Sequence, residues 1–452
     1  MQQEKSSKII VNQKHIQKLV RTKVFEINNK HIKLPFFSVL PQNATDLRIV
    51  LEEFNPDSII KTMPGEDDVD FLNAVLYRVF EYDNVVREQK SIMGQLTLNH
   101  NISTYKYFNQ TKLKLIDPAT ELYRLRYKNY LKQYLSLEEI PDYLRDYLLK
   151  LISHDNLNLD AEHIKFWTDL FTSTEKGTLK SAHFLKWHWK RQKGRGADLF
   201  IPPTPYINLK SDMLIDKAIE MNHDAREFIS DGEVSTIFNV NLDLFNNKKA
   251  IEKMTNYFDQ APTRITLFKF IDAQKILQPG FGQYAKRNFE LFLRVIKSIK
   301  EEQPGRIFGV LNGGGFGYAL LGADFDFFTD SVSNYPPYYF KNVGERTHRG
   351  MLNAETLTIE KFEGVKNIFK ENNILMHECK ICRKYKDLEN ISGVSRQQWS
   401  EDCRRHGLHL WNKFTKEYYE AQATEQERLF FDKIQNSDYA ILGTILRNIN
   451  SR

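Results

Sequence analysis

Short runs rich in apolar, β-branched and aromatic residues alternate along this chain with longer amphipathic segments. Runs of this kind predict buried strands, and about eight of them are present. They are Pro35–Leu40, Asp57–Thr62, Lys112–Ile116, Ala197–Ile201, Ser235–Val240, Arg264–Phe270, Arg306–Leu311 and Ala323–Phe328. Between them, apolar residues three and four positions apart predict helices, as over Lys248–Asp259 and Lys286–Glu301.

The alternation of strands and helices predicts parallel strands joined by crossover helices. About eight such units over this length predict an α/β fold of the (β/α)8 TIM-barrel type, and a doubly wound open sheet is the competing interpretation. Residues 1–372 are expected to form the barrel, with a helix-rich insertion around residues 127–193. Residues 373–452 are expected to form a smaller subdomain with a C-terminal helix over about 406–435.

Composition narrows the functional class. The 452 residues are 41% hydrophobic and 27% charged, which is enough apolar material for a large core. No window approaches the roughly 20 apolar residues of a membrane span, and the N-terminal segment lacks the apolar stretch of a signal peptide. We therefore expect a cytoplasmic protein with no membrane partner.

The distribution of charge adds a candidate partner. The net charge of +6 is only a mild bias towards acidic ligands. Basic and aromatic residues are mixed, however, over Lys186–Arg195 and again over Lys380–Lys386. Cations neutralise phosphates and aromatic faces stack on bases, so both patches favour a nucleic-acid partner. A plain exposed helix face is the alternative for either patch alone.

All three cysteines lie in one short stretch. An odd count in a chain expected to be cytoplasmic does not favour a disulfide framework. The pattern His377-x-Cys379-x2-Cys382, followed by Cys403-x2-His406, is typical of a tetrahedral zinc site. Cys379, Cys382 and His406 are therefore predicted to bind a structural Zn²⁺, with either His377 or Cys403 as the fourth ligand. Three unconnected buried thiols are the alternative.

Acidic residues follow three of the predicted strands, namely Asp117, Asp272 and Asp330. In a (β/α)8 barrel the catalytic groups lie at these C-terminal strand ends. Paired carboxylates there can act as nucleophile and as general acid or base in glycosyl transfer. A turn or a helix cap also explains each acid alone, and Asp117 precedes a proline, which favours a turn.

A glycine run follows the seventh strand expected in a barrel and opens a short helix. Gly313, Gly314 and Gly315 allow the backbone to approach a ligand closely, with amide groups that can donate to an anion. The run lacks the Gly-Lys-Ser/Thr of a P-loop. A substrate contact and a tight turn without a ligand are both compatible with it.

Taken in order along the chain, these features resemble the tRNA-guanine transglycosylase superfamily from about Pro35 to Trp411. The likeness is strongest over Arg306–Ser333, where a strand, a glycine turn, a short helix and a strand ending in Asp-Ser-Val-Ser are similar to the family's nucleophile region. The resemblance implies that Asp330 is the nucleophile. Asp326 is the alternative if the register of the strand shifts.

The zinc segment is the second similar block, because the family has Cys-x-Cys-x2-Cys followed by a distant histidine and an apolar helix. Here His377 stands at the first cysteine, so the resemblance favours His377 over Cys403 as the fourth ligand. Further upstream, the strand ending in Asp117 is similar to the one that carries the family's general acid/base aspartate. The Ser-Gly-Gly that usually follows this aspartate is missing here.

The segment Gly196–Tyr206 is similar to the next strand of the family, with one departure. A proline stands where the family has the aspartate that recognises the base. The resemblance then leaves base recognition to Asp272 or Asn241, which lie near the ends of later predicted strands.

The resemblance implies a pentosyltransferase that replaces guanine in a nucleic acid with a free 7-deazaguanine-type base, through a covalent aspartyl–sugar intermediate. The divergent base pocket favours the branch that modifies DNA over the enzymes that act on tRNA. A catalytically inactive, zinc-containing nucleic-acid-binding barrel is the alternative, and a barrel lyase or hydrolase of a small metabolite is a third hypothesis. The sequence leaves homodimerisation and helper subunits open.

Overall fold

The computed structural model of this protein describes residues 23–53, 72–83, 85, 110, 112–175, 177–229, 232–261, 263–273, 276, 281–331, 350–360, 379–385, 394–423 and 427–450. Their strands are β1 (Lys23–Ile27), β2 (Lys30–Leu34), β3 (Phe36–Leu40), β4 (Leu72–Arg78), β5 (Leu113–Asp117), β6 (Thr174–Glu175), β7 (Thr178–Leu179), β8 (Tyr206–Ile207), β9 (Thr236–Asn241), β10 (Ile265–Ile271), β11 (Ile307–Val310), β12 (Phe327–Ser331), β13 (Met351–Leu352) and β14 (Ile359–Glu360).

The α-helices of the described residues are α1 (Ala44–Glu53), α2 (Glu121–Leu125), α3 (Lys128–Leu135), α4 (Asp142–Ser153), α5 (Leu159–Thr172), α6 (Lys180–Gly194), α7 (Leu214–Phe228), α8 (Lys248–Gln260), α9 (Gln283–Glu302), α10 (Gly314–Leu320), α11 (Lys380–Tyr385), α12 (Arg396–Ala423), α13 (Glu427–Asn436) and α14 (Ala440–Asn450). Short 3-10 helices span Leu209–Ser211, Leu242–Asn246 and Leu321–Ala323. None of the described helices is both long enough and apolar enough to cross a membrane.

Eight strands form one sheet, in the order β5-β4-β3-β12-β11-β10-β9-β8. The pairs β3–β4, β3–β12, β8–β9, β9–β10 and β10–β11 are parallel. Strand β10 illustrates the cause, because each of its seven residues is buried, as expected for a parallel strand covered on both faces. Its residues Phe268 and Phe270 meet Phe292 of α9 edge to face, with ring centroids 5.3 and 6.1 Å apart. The predicted α/β class and eight-stranded sheet are confirmed.

Most predicted strands lie close to their predicted positions, and the exceptions have physical reasons. Strand β12 begins at Phe327 and not at Ala323, because Leu321–Ala323 forms a 3-10 turn. The strand predicted over Ala197–Ile201 is wrong as a regular strand: Leu199 and Phe200 make only isolated parallel bridges. Strand β4 was missed because Asn73 and Arg78 interrupt an apolar run that is buried throughout. The strand predicted over residues 57–62 lies outside the described residues.

The predicted helices over Lys248–Asp259 and Lys286–Glu301 correspond to α8 and α9. Helices α3 to α6 occupy the segment predicted to be helix-rich. The C-terminal helix begins earlier than predicted, at Arg396, and the described part of the predicted segment is covered by α12 and α13.

The chain divides into two compact units. Unit 1 contains Met1–Val75, Val85–Leu113 and Asn312–Arg452, and unit 2 contains Leu76–Asn84 and Lys114–Leu311. The boundary predicted between residues 372 and 373 lies outside the described residues.

Candidate metal centre and strand-end carboxylates

Two cysteines and a histidine come together in unit 1. Cys379 immediately precedes α11, Cys382 lies in the first turn of this helix, and His406 lies on α12. His406 Nδ1 is 3.4 Å from Cys379 Sγ and 3.5 Å from Cys382 Sγ. All three side chains are buried, and their ligand atoms lie within 4.8 Å of one another. This group, which the sequence predicted, can hold a metal ion.

Local hydrogen bonds explain the arrangement. The backbone N–H of Cys382 donates to Cys379 Sγ over 3.3 Å, which turns both thiols towards the same side. His406 Nε2 is 2.9 Å from the carbonyl oxygen of Leu352 in β13. A carbonyl oxygen can only accept, so Nε2 carries the proton and the lone pair of Nδ1 faces the thiols. The imidazole is therefore in the tautomer that binds a metal through Nδ1.

The chemistry of the donor set fits a soft or borderline cation such as Zn²⁺. The hydrogen bond with Cys379 is the main cause that raises the pKa of the Cys382 thiol, and burial is the second. Two adjacent buried thiols therefore ionise with difficulty on their own. A divalent cation between them would reverse that preference, because it stabilises both thiolates.

Cys403 and His377 are the two candidates for the fourth ligand. Cys403, the alternative candidate, is fully buried on α12 in a hydrophobic cluster with Met351, Tyr385 and Trp399. Its sulfur is not among the three ligand atoms that lie within 4.8 Å of one another. His377 lies outside the described residues, so its role stays a prediction.

Asp330 lies in unit 1 near the carboxyl end of β12, opposite Val39 of β3, and its side chain is partly exposed. The indole N–H of Trp411, on α12, donates to Asp330 Oδ2 over 2.7 Å. On the other side, the chain passes close by at Gly314, where a methyl group would lie 3.4 Å from Asp330 Oδ1. Asp326, the alternative nucleophile, is buried just before the strand.

Gly313, Gly314 and Gly315 pack against other parts of the protein and do not line an open space. The backbone N–H of Gly313 donates to the Thr329 carbonyl over 2.8 Å, so this amide is engaged within the protein. Gly314 has a φ of +50°, which disfavours a larger residue there. A methyl group at Gly315 would lie 2.3 Å from the Leu357 carbonyl oxygen. Packing alone explains Gly315, and the substrate-binding role of the run stays a prediction.

Asp117, the last residue of β5, belongs to a buried charged cluster in unit 2. Lys269 Nζ, from β10, lies 2.6 Å from Asp117 Oδ1 and 2.8 Å from Glu121 Oε2 on α2. The backbone N–H of Ala119 donates to the same Asp117 oxygen over 2.8 Å. The three charged side chains are at most 1% exposed. The cluster therefore has to balance its charge internally.

The protonation of this cluster follows from its charges. Two carboxylates and one ammonium sum to −1 if all three groups are ionised. Burial is the main cause that raises the pKa of Glu121; Lys269 opposes the shift, and the charge of Asp117 adds to it. A proton on Glu121 makes the cluster neutral. Asp117 Oδ2 has no hydrogen-bond partner among the described residues, which leaves an acceptor for a donor group of a ligand.

Asn241 and Asp272, predicted to recognise the base, contact each other directly in unit 2. Asn241 Nδ2 donates to Asp272 Oδ2 over 3.0 Å and to the Tyr206 hydroxyl over 2.7 Å. Asn241 is the last residue of β9, and Asp272 follows β10 with a left-handed backbone, φ 58°. The carboxyl ends of neighbouring parallel strands therefore bring two polar side chains to one place.

Sequence reasoning missed Lys269, Glu121 and Trp411. A usable signal existed for Lys269, because it is the charged residue of an otherwise apolar run, Ile265–Ile271. A lysine inside a strand covered on both faces requires buried partners. Glu121 and Trp411 carried no comparable signal.

The two basic and aromatic patches are less exposed than the sequence suggested. Trp187 and His188 are buried, and burial lowers the pKa of His188 to about 3, so its ring is neutral. In the second patch Tyr385 is buried and Lys384 Nζ lies 2.7 Å from Asp402. Neither buried aromatic ring of the first patch can stack on a base in this conformation. The exposed side chains that remain on α6 are those of Lys186, Lys190 and Lys193.

Comparison with known proteins does not extend this description. No protein-family model matches the chain, and no curated protein matches it with significance. The functional conclusion therefore depends on the side chains themselves.

Proposed function

We propose that this protein is a base-exchanging glycosyltransferase that replaces guanine in a nucleic acid, DNA in preference to tRNA, with a free 7-deazaguanine-type base. In this proposal Asp330 is the nucleophile and Asp117 moves a proton. A structural Zn²⁺ is held by Cys379, Cys382 and His406, together with a fourth ligand.

The reaction has two substitutions at the same carbon. An oxygen of Asp330 bonds to C1′ while the bond from C1′ to N9 of guanine breaks, and guanine leaves with the bonding electrons and takes up a proton. N9 of the incoming base then attacks C1′, the aspartyl ester breaks, and the N9 proton passes to an acceptor such as Asp117. One base replaces another, so no oxidant or reductant is required.

The observation that carries the proposal is the setting of Asp330. A partly exposed carboxylate at the carboxyl end of a parallel strand is where catalytic groups lie in α/β barrels. The Trp411 indole N–H fixes one of its oxygens, and the helix that carries Trp411 also carries His406 of the metal group. A fixed carboxylate suits an oxocarbenium-like sugar carbon, because its negative charge stabilises the transition state.

The proposal includes closure of the sheet into a (β/α)8 barrel, with the residues around Leu199 as its fourth member. Leu199 bridges to Leu115 of β5, and Phe200 bridges to Val234 just before β9. Strand β3 is the first strand of this sheet along the chain and β12 is the last, and the two are neighbours in the sheet. A doubly wound sheet would instead be wound outwards in both directions from its first strand.

A nucleic-acid substrate is supported by the exposed face of α6. This helix contains no acidic residue, and the exposed Lys186, Lys190 and Lys193 are spaced four and three positions apart, which places them on one face. Such a row of cations suits a phosphate backbone. The preference for DNA depends on the proline that stands where similar enzymes acting on tRNA have a base-recognising aspartate.

The test is the exchange of labelled guanine into guanine-containing DNA and, separately, into tRNA. We expect label in DNA and a covalent protein–DNA adduct that survives denaturation. Asp330→Ala should lower exchange by about 10³-fold or more, because the first substitution loses its nucleophile. Label in tRNA but not in DNA would make the protein a tRNA-guanine transglycosylase.

Asp326→Asn is the matched control, because Asp326 lies in the same chain segment and is the alternative nucleophile. Retention of the adduct in Asp330→Ala with its loss in Asp326→Asn would transfer the role to Asp326. Failure of the unmodified protein to exchange guanine into either nucleic acid would contradict the proposed enzyme.

A second candidate function is a catalytically inactive, zinc-containing nucleic-acid-binding protein. The observation that favours it is the complete burial of Asp117 in an ion-paired cluster, which is also the pattern of a structural charge network. Nucleic-acid binding that is unchanged in Asp330→Ala, without exchange in any variant, would support this function.

A further inference from the structure

The indole of Trp411 has a single well-defined polar contact. Its N–H donates to Asp330 Oδ2 over 2.7 Å, and the side chain is 3% exposed. A buried indole N–H needs an acceptor, since its desolvation is otherwise costly. An ionised carboxylate is a stronger acceptor than a neutral carboxyl, so this bond favours the charged form of Asp330.

Ring packing fixes the indole in place. Trp411 lies edge to face with Phe328 of β12, with ring centroids 5.3 Å apart, and with Phe414 of its own helix at 5.8 Å. Tyr318 of α10 lies 6.0 Å away on a further side. Rotation of the indole would break several contacts at once, so the direction of its N–H is set by the core.

Helix α12, which carries Trp411, is itself held in place by contacts on two sides. On one side, His406 belongs to the metal group and its Nε2 meets the Leu352 carbonyl. On another side, α12 contacts α1: Arg404 forms an ion pair with Asp46 at 2.6 Å, and His409 Nε2 lies 2.6 Å from Glu53 Oε2. These groups are nearly buried, so they hold the helix more firmly than exposed pairs would.

We infer that Trp411 is a positioning residue for Asp330: its indole N–H holds Oδ2, keeps the carboxylate ionised and fixes its orientation, with Oδ1 turned towards Gly314. The inference deepens the proposed function and rests on it for the role of Asp330 as nucleophile. The contact itself can be tested without any catalysis. Among the described residues, Tyr439 is a titratable group close enough to Asp330 that the charge of Asp330, after burial, raises the pKa of this tyrosine.

The direct test is the titration of Asp330 by carboxyl NMR, with the signal assigned by its disappearance in Asp330→Asn. Trp411→Phe keeps an aromatic ring and removes only the donor. We expect the pKa of Asp330 to rise by about one unit in this variant, since a hydrogen bond to the charged form is lost. In the exchange assay the acid limb of the kcat profile should move to higher pH by the same amount, with kcat affected more than KM.

Tyr418→Phe is the matched control, because it also removes one buried hydrogen bond of α12, to the Leu321 carbonyl, without touching Asp330. An equal shift in this control, or no shift in Trp411→Phe, would overturn the inference. In the unmodified protein the indole N–H signal of Trp411 should follow the Asp330 titration, which gives a result even if Trp411→Phe does not fold. Absence of exchange with the titration intact would reject the proposed function alone.

Discussion

Asp117 and Asp330 both lie at or near the ends of strands, but their carboxylates have different kinds of partner. Asp117 is completely buried and its charge is balanced by the ammonium group of Lys269. Asp330 is partly exposed and meets the neutral indole N–H of Trp411. A cation cancels the charge of its partner, whereas a neutral donor orients the carboxylate and leaves its charge in place.

In the proposed reaction this difference would give different roles to two residues that look alike in the sequence. In known glycosidases, two carboxyl groups lie in different environments that give them different pKa values. One then acts as an acid or base and the other as a nucleophile. In the proposed reaction, a carboxylate oriented by a neutral donor suits the stabilisation of a cationic sugar carbon. A buried carboxylate beside a lysine and a second carboxyl group suits the transfer of a proton.

The largest effect is expected from the metal group of Cys379, Cys382 and His406 in unit 1. The double variant Cys379→Ser, Cys382→Ser should lose its bound zinc and lower the free energy of unfolding by more than about 5 kcal/mol, since binding a structural Zn²⁺ contributes about 10 kcal/mol or more to folding. Metal content by mass spectrometry and denaturant unfolding measure both effects.

Two single variants sharpen this prediction. His377→Ala should weaken zinc binding more than Cys403→Ala if His377 is the fourth ligand, as the family resemblance implies. The opposite order would make Cys403 the ligand. Stoichiometric zinc in the double cysteine variant would show that Cys379 and Cys382 do not bind the metal.

A smaller effect is expected in the Asp117 cluster. Lys269→Met leaves buried carboxylates without their cation and should lower the free energy of unfolding by about 3–5 kcal/mol. Lys253→Met is the matched control, because Lys253 pairs with Asp216 on the surface, where both side chains are more than half exposed. That variant should cost about 1 kcal/mol or less. Similar losses of unfolding free energy in the two variants would show that Lys269 does not neutralise buried carboxylates.

The smallest effect is expected for Glu121→Gln, and it should depend on pH. The pKa of Glu121 is raised above 4.5 in the folded protein, so the native state holds this proton where the unfolded chain has lost it. The unmodified protein therefore loses stability as the pH rises above 4.5, and the glutamine variant does not. The stability of the variant relative to the unmodified protein should therefore grow as the pH rises above 4.5. A constant difference across denaturant titrations between pH 4 and 8 would contradict a raised pKa.

The parts of the molecule that could be predicted depend on short spacings along the chain. The metal group is an example, because Cys379 and Cys382 are three residues apart and one turn brings them together. The strands β9, β10 and β11 were predictable for the same reason, since a continuous apolar run is visible in sequence. Strand β4 was not, because Arg78 is buried beside Glu81 and an arginine in sequence favours the surface.

The sequence by itself determined the order of strands and helices, the clustering of cysteines near a histidine and the position of acids after strands, because neighbouring residues decide these features. Only the tertiary structure decided what each acid contacts. Trp411 lies 81 residues from Asp330, and Lys269 lies 152 residues from Asp117. No local pattern predicts these two contacts. The first arises when Trp411 of α12 packs against Phe328 of β12, and the second when Lys269 of β10 lies at the end of β5.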